Sequence, residues 1–358
     1  MFGSRSTRDV GAGPGEAPAP VTDALGRPLR KLRISLTDRC NLRCAYCMPR
    51  EEYTWLPREH LLSFDELGRL VGLLAPLGVA HLRLTGGEPL LRPSLSALVA
   101  RLGAIGGIRS VSLTTNGLLL ANSAASLRQA GLAGLTISLD TLRRERFASL
   151  TRRDELPAVL AGLDAAVEAG FERMKTNTVV MRGVNDDELV DIVEAARARD
   201  VQPRFIEYMD VGGATDWRPE HVVTRPEILG RLEARYGRAQ QLENRDGAPA
   251  DRFAFPDGFV VGVISSTSLP FCRKCDRARL TSDGHLLKCL YAHEGLDVRS
   301  LLRGAGTDAD LAERLAEEWR AREDRGAELR LAEPMRGPFI AADALLRNPH
   351  LEMHNRGG

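Results

Sequence analysis

Residues 32–47 read LRISLTDRCNLRCAYC, an alternating apolar and polar run followed at once by three cysteines. The alternation over Leu32–Leu36 predicts a short β-strand. Further strand-like runs follow along the chain, at His81–Thr85, Ser110–Thr114, Gly134–Leu139, Met174–Met181 and Pro203–Tyr208. Amphipathic helical patterns separate them, at Phe64–Leu74, Leu95–Leu102, Ser123–Ala130, Leu156–Glu168 and Asp187–Ala196. This alternation indicates an α/β fold with a parallel sheet.

The number of strand–helix units leaves two architectures open. Six units are fewer than the eight of a complete barrel, so both a partial barrel and a doubly wound open sheet remain. In either one, ligands gather at the carboxyl ends of the strands. Polar residues follow four of the predicted strands, at 37–38, 85–88, 114–117 and 138–140. We therefore expect a ligand-binding site along that edge of the sheet. Separately, Ser63 followed by Glu66 predicts a capping box at the start of the first helix.

The strand–helix alternation weakens after about residue 212, which indicates a smaller C-terminal extension. Asn244–Pro256 has the composition of a loop, Phe259–Ser265 predicts a strand, and Arg277–Leu290 predicts a hairpin turning at Asp283-Gly284. Residues 307–332 are charged and helical in pattern. We divide the chain into four parts: a flexible tail at 1–25, the α/β body at 26–255, the C-terminal region at 256–345 and a terminal segment at 346–358.

Composition excludes several classes of protein. The 358 residues are 43% hydrophobic, which is enough for a substantial core. The 49 basic and 48 acidic residues leave a net charge of +1, which argues against a polycationic nucleic-acid-binding surface. No signal peptide or membrane-spanning run is visible, so we expect a cytoplasmic protein with no membrane partner. Cysteines in that compartment are more often metal ligands than disulfides.

The three cysteines of residues 32–47 are Cys40, Cys44 and Cys47, spaced C-x3-C-x2-C directly after the first predicted strand. Structural zinc sites use four ligands, usually as two pairs from separate loops. Three thiolates on one loop, with no histidine nearby, suit a [4Fe–4S] cluster that keeps one iron open for substrate or cofactor. We name these residues the first triad.

Cys272, Cys275 and Cys289 form the second triad, spaced C-x2-C-x13-C. Two interpretations remain open for it. A structural zinc site would take His285 or His293 as its fourth ligand, whereas a second iron–sulfur cluster would again keep one iron open.

Two arginines follow the second triad's first pair of cysteines. Period-two spacing places Arg277 and Arg279 on one face of the predicted strand. Their guanidinium groups suit bidentate binding of a phosphate, although an isolated pair of this kind is also typical of a solvated strand face.

Residues 40–47, Cys-Asn-Leu-Arg-Cys-Ala-Tyr-Cys, are similar to the signature of the radical SAM superfamily, and Gly86-Gly87-Glu88-Pro89 resembles its GGEP motif. The resemblance implies a partial (β/α)6 TIM-like barrel whose first triad holds a [4Fe–4S] cluster. It also implies that S-adenosylmethionine (SAM) binds the open iron and is cleaved reductively to a 5′-deoxyadenosyl radical.

Both triads, together with residues 32–40, 47–49, 82–90, 113–117 and 204–210, resemble the GTP 3′,8-cyclase family of molybdenum cofactor biosynthesis. That resemblance implies a second [4Fe–4S] cluster that faces the guanine base of GTP, and ring closure between ribose C3′ and guanine C8. The implied SAM contacts are Tyr46, Gly87, Ser138 and Met209. The implied GTP contacts are Arg33, Arg83, Thr114, Lys175, Arg277, Ala278 and Arg279. Lys175 is one of only four lysines in an arginine-rich chain, which favours a specific role for it.

The family resemblance also implies partners. They are GTP, an electron donor for cluster reduction, a second copy of the chain in a homodimer, and hand-off of the product to cyclic pyranopterin monophosphate synthase. Family tails end in Gly-Gly, as here at Gly357-Gly358, but Asn355-Arg356 replace the apolar residue that usually precedes them. The alternative functions are a peptide-modifying radical SAM enzyme with an auxiliary cluster, and a non-catalytic iron–sulfur or zinc protein.

Overall fold

The computed structural model describes residues 19–243, 247–348 and 351–357. Within these residues twelve strands form one sheet. They are β1 (Lys31–Ser35), β2 (His81–Thr85), β3 (Ser110–Thr115), β4 (Gly134–Ser138), β5 (Met174–Val180), β6 (Gln202–Glu207), β7 (Gln240–Leu242), β8 (Asp251–Ala254), β9 (Val260–Ile264), β10 (Arg277–Leu280), β11 (His285–Leu287) and β12 (Leu296–Asp297). Their order across the sheet is β12-β11-β10-β1-β2-β3-β4-β5-β6-β9-β8-β7.

The order of the central strands decides between the two architectures. Strands β1 to β6 are parallel and lie side by side in chain order. A doubly wound sheet would reverse its strand order at a switch point, and this sheet has no such reversal. β10 adds in parallel beside β1, and β9 adds in parallel beside β6. The sheet is therefore the wall of a partial (β/α)6 barrel, and strands of the C-terminal region extend it at both edges.

Helices connect the parallel strands and continue into the C-terminal region. They are α1 (Phe64–Leu74), α2 (Leu95–Gly103), α3 (Ala124–Gln129), α4 (Arg144–Thr151), α5 (Leu156–Glu168), α6 (Leu189–Arg197), α7 (Arg225–Tyr236), α8 (Val298–Arg303), α9 (Asp308–Arg320), α10 (Gly326–Leu331) and α11 (Ala342–Arg347). None of these helices, within the ranges the structure describes, is long and apolar enough to cross a membrane.

Alternation along the strands separates the core from the barrel interior. In β1, Leu32 and Ile34 are buried in the main apolar core, which they share with residues of the surrounding helices. Arg33 points the opposite way and lines the interior cavity.

The capping box of α1 is present as predicted, because Ser63 Oγ accepts the Glu66 N–H at 3.1 Å and the Glu66 carboxylate accepts the Ser63 N–H at 2.7 Å.

One segment of the predicted element pattern is wrong. Within the stretch Asn244–Pro256, expected to be a loop, Asp251–Ala254 forms β8 and pairs with β9 in antiparallel register. Only Phe253 of this strand is fully buried, because the strand carries charged residues at Asp251 and Arg252. A four-residue strand with one core side chain does not show the alternation by which strands are recognised. Residues 244–246 lie outside the described part of the chain.

The N-terminal boundary also differs from the expectation. Residues 1–18 of the predicted tail lie outside the described residues, but residues 19–25 pack on the body. The Val21 N–H donates to Leu77 O at 2.9 Å, and Thr22 forms a bridge with Pro28. Asp23 is buried beside two arginines. One of them, Arg322, lies 299 residues away along the chain, so composition near the N-terminus gave no sign of this packing.

Two helix-interior glycines provide a test of the packing. Gly72 in α1 has open space where a Cβ would lie, whereas a Cβ on Gly162 in α5 would lie 2.3 Å from Gly117 O. We expect Gly72→Ala to stabilise the fold by about 0.5–1 kcal/mol, because alanine loses less backbone entropy in a helix. We expect Gly162→Ala to destabilise it by about 1–3 kcal/mol through overpacking. Urea unfolding of both variants measures this, and equal shifts would contradict the packing of α5 on the β3 loop.

Candidate active site

Backbone hydrogen bonds hold the loop of the first triad. The Cys47 N–H donates to Cys44 O at 3.0 Å, and the Arg43 N–H donates to Thr151 O at 2.9 Å at the end of α4. All three cysteines are free thiols. Burial raises the pKa of Cys40 to about 11 and raises the pKa of Cys44 and Cys47 as well. Burial therefore favours the protonated thiols, and a metal group bound here would have to displace their protons.

Gly86 and Gly87 follow β2 and lie against the backbone that leads into the first triad. The Gly87 N–H donates to Thr37 O at 2.8 Å, and the Glu88 N–H donates to Arg39 O at 2.8 Å. A Cβ on Gly87 would lie 2.2 Å from Arg39 O. Gly86 has φ of +139°, and a Cβ there would lie 2.5 Å from Thr37 O. Both positions therefore require glycine, and the two glycines fix the spacing between β2 and the cysteine loop.

The carboxylate of Glu88 joins three parts of the site. It accepts the Thr115 hydroxyl at 2.7 Å and the Asn116 N–H at 2.8 Å, both at the end of β3. Asn116 then donates through Nδ2 to Asn41 Oδ1 at 2.7 Å, inside the first triad's loop. Burial raises the pKa of Glu88 to about 7. Glu88 is absent from the predicted site residues, although its place in the GGEP motif was an available signal.

A tyrosine–aspartate hydrogen bond joins the same loop to β4 and β5. The Tyr46 hydroxyl donates to Asp140 Oδ2 at 2.6 Å, and the Val179 N–H donates to Asp140 Oδ1 at 2.8 Å. Burial raises the pKa of Asp140 to about 6. Tyr46 is thereby held at the carboxyl ends of the strands, where it was predicted to contact SAM. Asp140 was not predicted as a site residue, but it follows β4 in the expected polar edge.

The turn after β6 approaches the first triad from the opposite side. A Cβ on Gly213 would lie 2.0 Å from Cys47 O. A Cβ on Gly212 would lie 2.6 Å from the backbone nitrogen of Met353, in the C-terminal segment. Met209, at the start of this turn, lines the interior cavity. Neither glycine was among the predicted site residues. The local sequence does not indicate which distant backbone will approach a given glycine.

The second triad is assembled from three segments. Cys272–Lys274 forms a 3-10 turn, and Cys289 follows β11. Burial raises the pKa of the Cys272 thiol, although the nearby backbone N–H groups of Ala327 and Glu328, in α10, favour its thiolate. A Cβ on Gly326 would lie 3.1 Å from Cys289 Sγ. The start of α10 therefore packs directly on two of the three cysteines.

Cys275 differs from the other cysteines in its electrostatic surroundings. Burial opposes its ionisation, but the positive charges of Arg277 and Arg322 outweigh burial and lower its pKa to about 6. Arg277 Nη2 lies 3.6 Å from Cys275 Sγ. This thiol is therefore already a thiolate at neutral pH, which is the form that binds iron.

One cavity at the carboxyl ends of the strands takes in all six cysteines. It also brings together most of the other predicted site residues. Those in its wall are Arg33, Tyr46, Gly87, Thr114, Ser138, Met209, Arg277 and Arg279. The two triads, which are far apart in sequence, thus face a common space.

The histidines of the zinc interpretation lie elsewhere. Neither His285 nor His293 is among the described residues that line this cavity. His285 Nδ1 lies 3.3 Å from Asp283 Oδ2, and the His293 ring packs on Phe339 with 4.7 Å between ring centroids. Throughout the described ranges, no three His, Cys, Asp or Glu side chains are placed to share a single metal ion. The donors that the second triad offers are three cysteine sulfurs, and cysteine thiolates are the usual ligands of iron–sulfur clusters.

Three arginines lie at one level of the barrel wall. Parallel register pairs Arg33 with Arg279 of β10 on one side and with Arg83 of β2 on the other. Burial and then the charges of the other arginines lower the pKa of Arg33 well below its usual range. Burial lowers the pKa of Arg83 to about 10, and burial with the charge of Arg277 lowers that of Arg279 to about 9. Cations in such surroundings favour an anionic ligand.

Lys175 belongs to the same interior set of cations. Arg83 Nη1 donates to the hydroxyls of Thr114 and Thr136 at 3.2 and 3.1 Å, and Thr136 pairs with Lys175 across β4 and β5. Burial and then the charges of Arg204 and Arg83 lower the pKa of Lys175 to about 7. Arg83 and Lys175 are not part of the cavity wall. Arg204, which was not predicted, is a further half-buried cation on β6, and its removal from water lowers its pKa to about 10.

Ala278 is the one predicted substrate residue whose side chain faces away from the site. It lies between Arg277 and Arg279 on β10, so alternation turns its methyl group into the apolar core. Only its backbone atoms are available to a ligand.

The C-terminal segment enters the barrel despite its unusual sequence. Arg279 Nη1 donates to Gly357 O at 2.8 Å, and a Cβ on Gly357 would lie 2.8 Å from Thr85 Cγ2. Asn355 and Arg356, which replace apolar residues of the family pattern, are both buried. Asn355 Oδ1 accepts the Ser282 N–H at 3.0 Å, and Arg356 Nη1 donates to Leu290 O at 2.6 Å. Hydrogen bonds therefore dock this tail, and Gly358 lies outside the described residues.

Family models match most of the chain. The model of the radical SAM superfamily matches residues 34–196, and the model named Molybdenum Cofactor Synthesis C matches residues 201–328. The second match begins at β6 and includes all of the second triad. Among solved structures, Streptococcus suis SuiB bound to S-adenosylmethionine has a TM-score of 0.59 at 14% identity, over 90% of this chain and 77% of that one. That likeness shows a shared fold.

Relatives of similar length share much more sequence. The chain is 50% identical over 349 residues to GTP 3′,8-cyclase 1 of Mycobacterium tuberculosis (strain H37Rv), covering 96% of this chain and 97% of that protein. It is 47% identical over 317 residues to GTP 3′,8-cyclase of Xanthomonas campestris pv. campestris (strain B100), covering 87% and 93%. These matches confirm the resemblance drawn from the two triads and the GGEP motif. The chain belongs to the GTP 3′,8-cyclase family of the radical SAM superfamily.

Proposed function

We propose that the protein converts GTP into (8S)-3′,8-cyclo-7,8-dihydroguanosine 5′-triphosphate, the first step of molybdenum cofactor biosynthesis. The observation that carries the proposal is that one cavity contains both cysteine triads together with Arg33, Arg277 and Arg279. One substrate in this cavity would then lie within reach of the radical source, the second metal-binding group and the cationic side chains that would bind a triphosphate.

The first triad fits the cluster expected of a radical SAM enzyme, since three free thiols on one loop leave one iron open. When bound, this cluster supplies the electron that cleaves SAM to a 5′-deoxyadenosyl radical. Tyr46, Gly87, Ser138 and Met209 would contact SAM beside it. The chain's own contribution is rigidity, because the two glycines of the GGEP motif, Glu88 and Asp140 fix the cysteine loop against four strand ends.

The second triad would hold a second [4Fe–4S] cluster that faces the guanine base. Arg33, Thr114, Arg277 and Arg279 would bind the triphosphate from the cavity wall, and the backbone of Ala278 would add a contact. Arg83 and Lys175 would add positive charge from behind that wall. Fixing the nucleotide at both ends holds ribose C3′ near guanine C8, and ring closure needs that near-attack geometry.

The proposal extends to partners and location. An electron donor would reduce the cluster of the first triad, the chain would act as a homodimer in the cytoplasm, and the product would pass to cyclic pyranopterin monophosphate synthase. A peptide-modifying radical enzyme and a non-catalytic metal protein are the competing interpretations. Both leave the row of interior arginines without a ligand, so the nucleotide proposal accounts for more of the site.

Metal content separates these interpretations. After anoxic reconstitution we expect about eight irons per chain, as two [4Fe–4S] clusters require. Cys272→Ala should retain about four irons and reductive cleavage of SAM but lose cyclisation. Cys40→Ala should also retain about four irons and lose SAM cleavage. Zinc bound at the second triad, found by metal analysis, would contradict the two-cluster assignment.

Base specificity tests the role of the second triad. With dithionite, SAM and GTP, the protein should form 5′-deoxyadenosine and a cyclised guanosine triphosphate, detected by mass spectrometry. ATP has the same triphosphate and ribose, so the arginines and the radical source treat both nucleotides alike. If ATP were cyclised as fast as GTP, recognition of guanine at the second triad would be wrong.

The lowered pKa of Lys175 predicts a pH dependence of nucleotide binding. A bound triphosphate raises this pKa from about 7, because negative charge stabilises the ammonium ion. GTP affinity is therefore highest below pH 7. Above pH 7 the affinity falls, by up to about tenfold per pH unit for one linked proton. Lys175→Arg keeps its charge over this range and should bind GTP with little pH dependence. The same slope for both proteins between pH 7.5 and 9 would exclude Lys175 as the linked group.

A further inference from the structure

A buried ionic cluster lies behind the second triad, and the reaction proposed above does not use it. It consists of Asp23, Arg27 and Arg322, whose side chains are 0%, 2% and 1% exposed. Asp23 Oδ2 lies 2.6 Å from Arg27 Nε and 3.3 Å from Arg322 Nη1. Asp23 Oδ1 accepts the Arg27 N–H at 2.8 Å, which fixes the turn that carries both residues. One carboxylate thus orients two guanidinium groups.

Both arginines of this cluster bind the backbone of the second triad. Arg27 Nη1 donates to Cys272 O at 3.0 Å, and Arg322 Nη1 donates to Cys275 O at 2.8 Å. These carbonyls belong to the two cysteines that bracket the C-x2-C turn. A guanidinium on each carbonyl fixes the peptide planes at both ends of the turn, and those planes set the directions of the two thiols.

Arg27 extends the same support to the segment beyond α9. Its Nη1 also donates to Asp324 O at 2.7 Å, two residues before α10 begins. The N–H groups at the start of α10 reach Cys272. The buried cluster therefore places both the C-x2-C turn and the helix that contacts it.

Stability alone is a poor explanation for this arrangement. A buried ion pair seldom stabilises a fold more than well-packed apolar residues of similar volume do. Here the ionic cluster, built from residues 23–27 and 322, is joined to the turn at residues 272–275 by hydrogen bonds. Metal ligands keep their positions here because hydrogen bonds hold the neighbouring carbonyl groups in fixed directions. Apolar packing cannot fix those directions.

We propose that Asp23, Arg27 and Arg322 are positioning residues for the metal group of the second triad, holding Cys272 and Cys275 in ligand geometry. This inference rests on the proposed function, in which the second triad holds a [4Fe–4S] cluster. Arg322 would have an additional effect, because its positive charge beside the Cys275 sulfur would raise the reduction potential of a cluster bound there. The N-terminal segment is then part of the second metal site.

The experiment isolates the second triad in the full-length chain. Cys40→Ala, Cys44→Ala and Cys47→Ala remove the first triad, and the protein is reconstituted anoxically with iron and sulfide. Arg322→Gln, Arg322→Lys and Asp23→Asn are introduced in this background. Arg320→Gln is the matched control, since Arg320 is exposed on the same helix end and pairs only with surface Glu313 in the described structure. Iron release to bathophenanthroline and the cluster's midpoint potential by EPR are measured.

We expect Arg322→Gln and Asp23→Asn to speed iron release by about tenfold to a hundredfold, the usual range for loss of a group that orients a metal ligand. Arg322→Lys keeps the charge beside Asp23 and should release iron more slowly than Arg322→Gln. The midpoint potential should become more negative in Arg322→Gln and stay unchanged in Arg320→Gln. With the native cysteines restored, Arg322→Gln should still bind SAM and cleave it reductively at the unmodified rate.

Three results would overturn the inference in distinguishable ways. If Arg322→Gln and Arg320→Gln release iron equally, the buried cluster does not position the ligands. If Arg322→Gln loses SAM cleavage together with the second cluster, its role is general folding rather than positioning. If the unmodified second triad takes up zinc or no iron at all, the two-cluster proposal fails first, and the positioning of a cluster fails with it.

Discussion

The placement of three arginines at one level of the barrel wall is the constraint on which the site depends. Parallel register fixes Arg279, Arg33 and Arg83 side by side, so their guanidinium groups are buried next to like charges. Removing an ion from water costs on the order of several kcal/mol, and mutual repulsion adds to it. Hydrogen bonds from Arg83 to two threonine hydroxyls and from Arg279 to Gly357 O offset part of this cost. Under the proposed function, a triphosphate inside the barrel would offset more of it, and these arginines would supply part of its binding free energy.

The two triads lie in opposite electrostatic surroundings. The first lies among buried carboxyl groups and neutral donors, where burial keeps its thiols protonated and where Glu88 and Asp140 also tend toward their neutral forms. The second lies beside cations, which favour the thiolate of Cys275. A metal group bound at the first triad would thus replace protons in a low-polarity pocket, whereas a group bound at the second would meet a thiolate already favoured by cations. Under the proposed function, this difference would give the two metal groups different reactivity.

Much of the fold was predictable because its signals are local. Strand alternation located β1 to β6, and Ser63 with Glu66 located the start of α1. Cysteine spacing located both triads, and the family resemblance implied eight further residues of the cavity wall. The unpredicted residues depend on distant contacts instead. β8 has one core side chain, Gly213 is required by Cys47 in another loop, and Asp23 is buried by Arg322 at the far end of the chain.

Both ends of the described chain converge on the second half of the site. Arg27 reaches Cys272 across 245 residues, and Arg356 reaches the backbone just after Cys289 across 66. The first triad, by contrast, is held mainly by residues from 37 to 213, although the turn after β6 also packs on Met353 of the C-terminal segment. Closing such long loops costs entropy that local contacts do not repay. Most contacts that hold the first triad therefore come from the barrel's own strands and turns, whereas the second triad is held by both ends of the described chain. Polar residues such as Asn355 and Arg356 are suited to this closure, because hydrogen bonds to specific backbone N–H and C=O groups fix a chain end in one register, whereas apolar contacts would allow several.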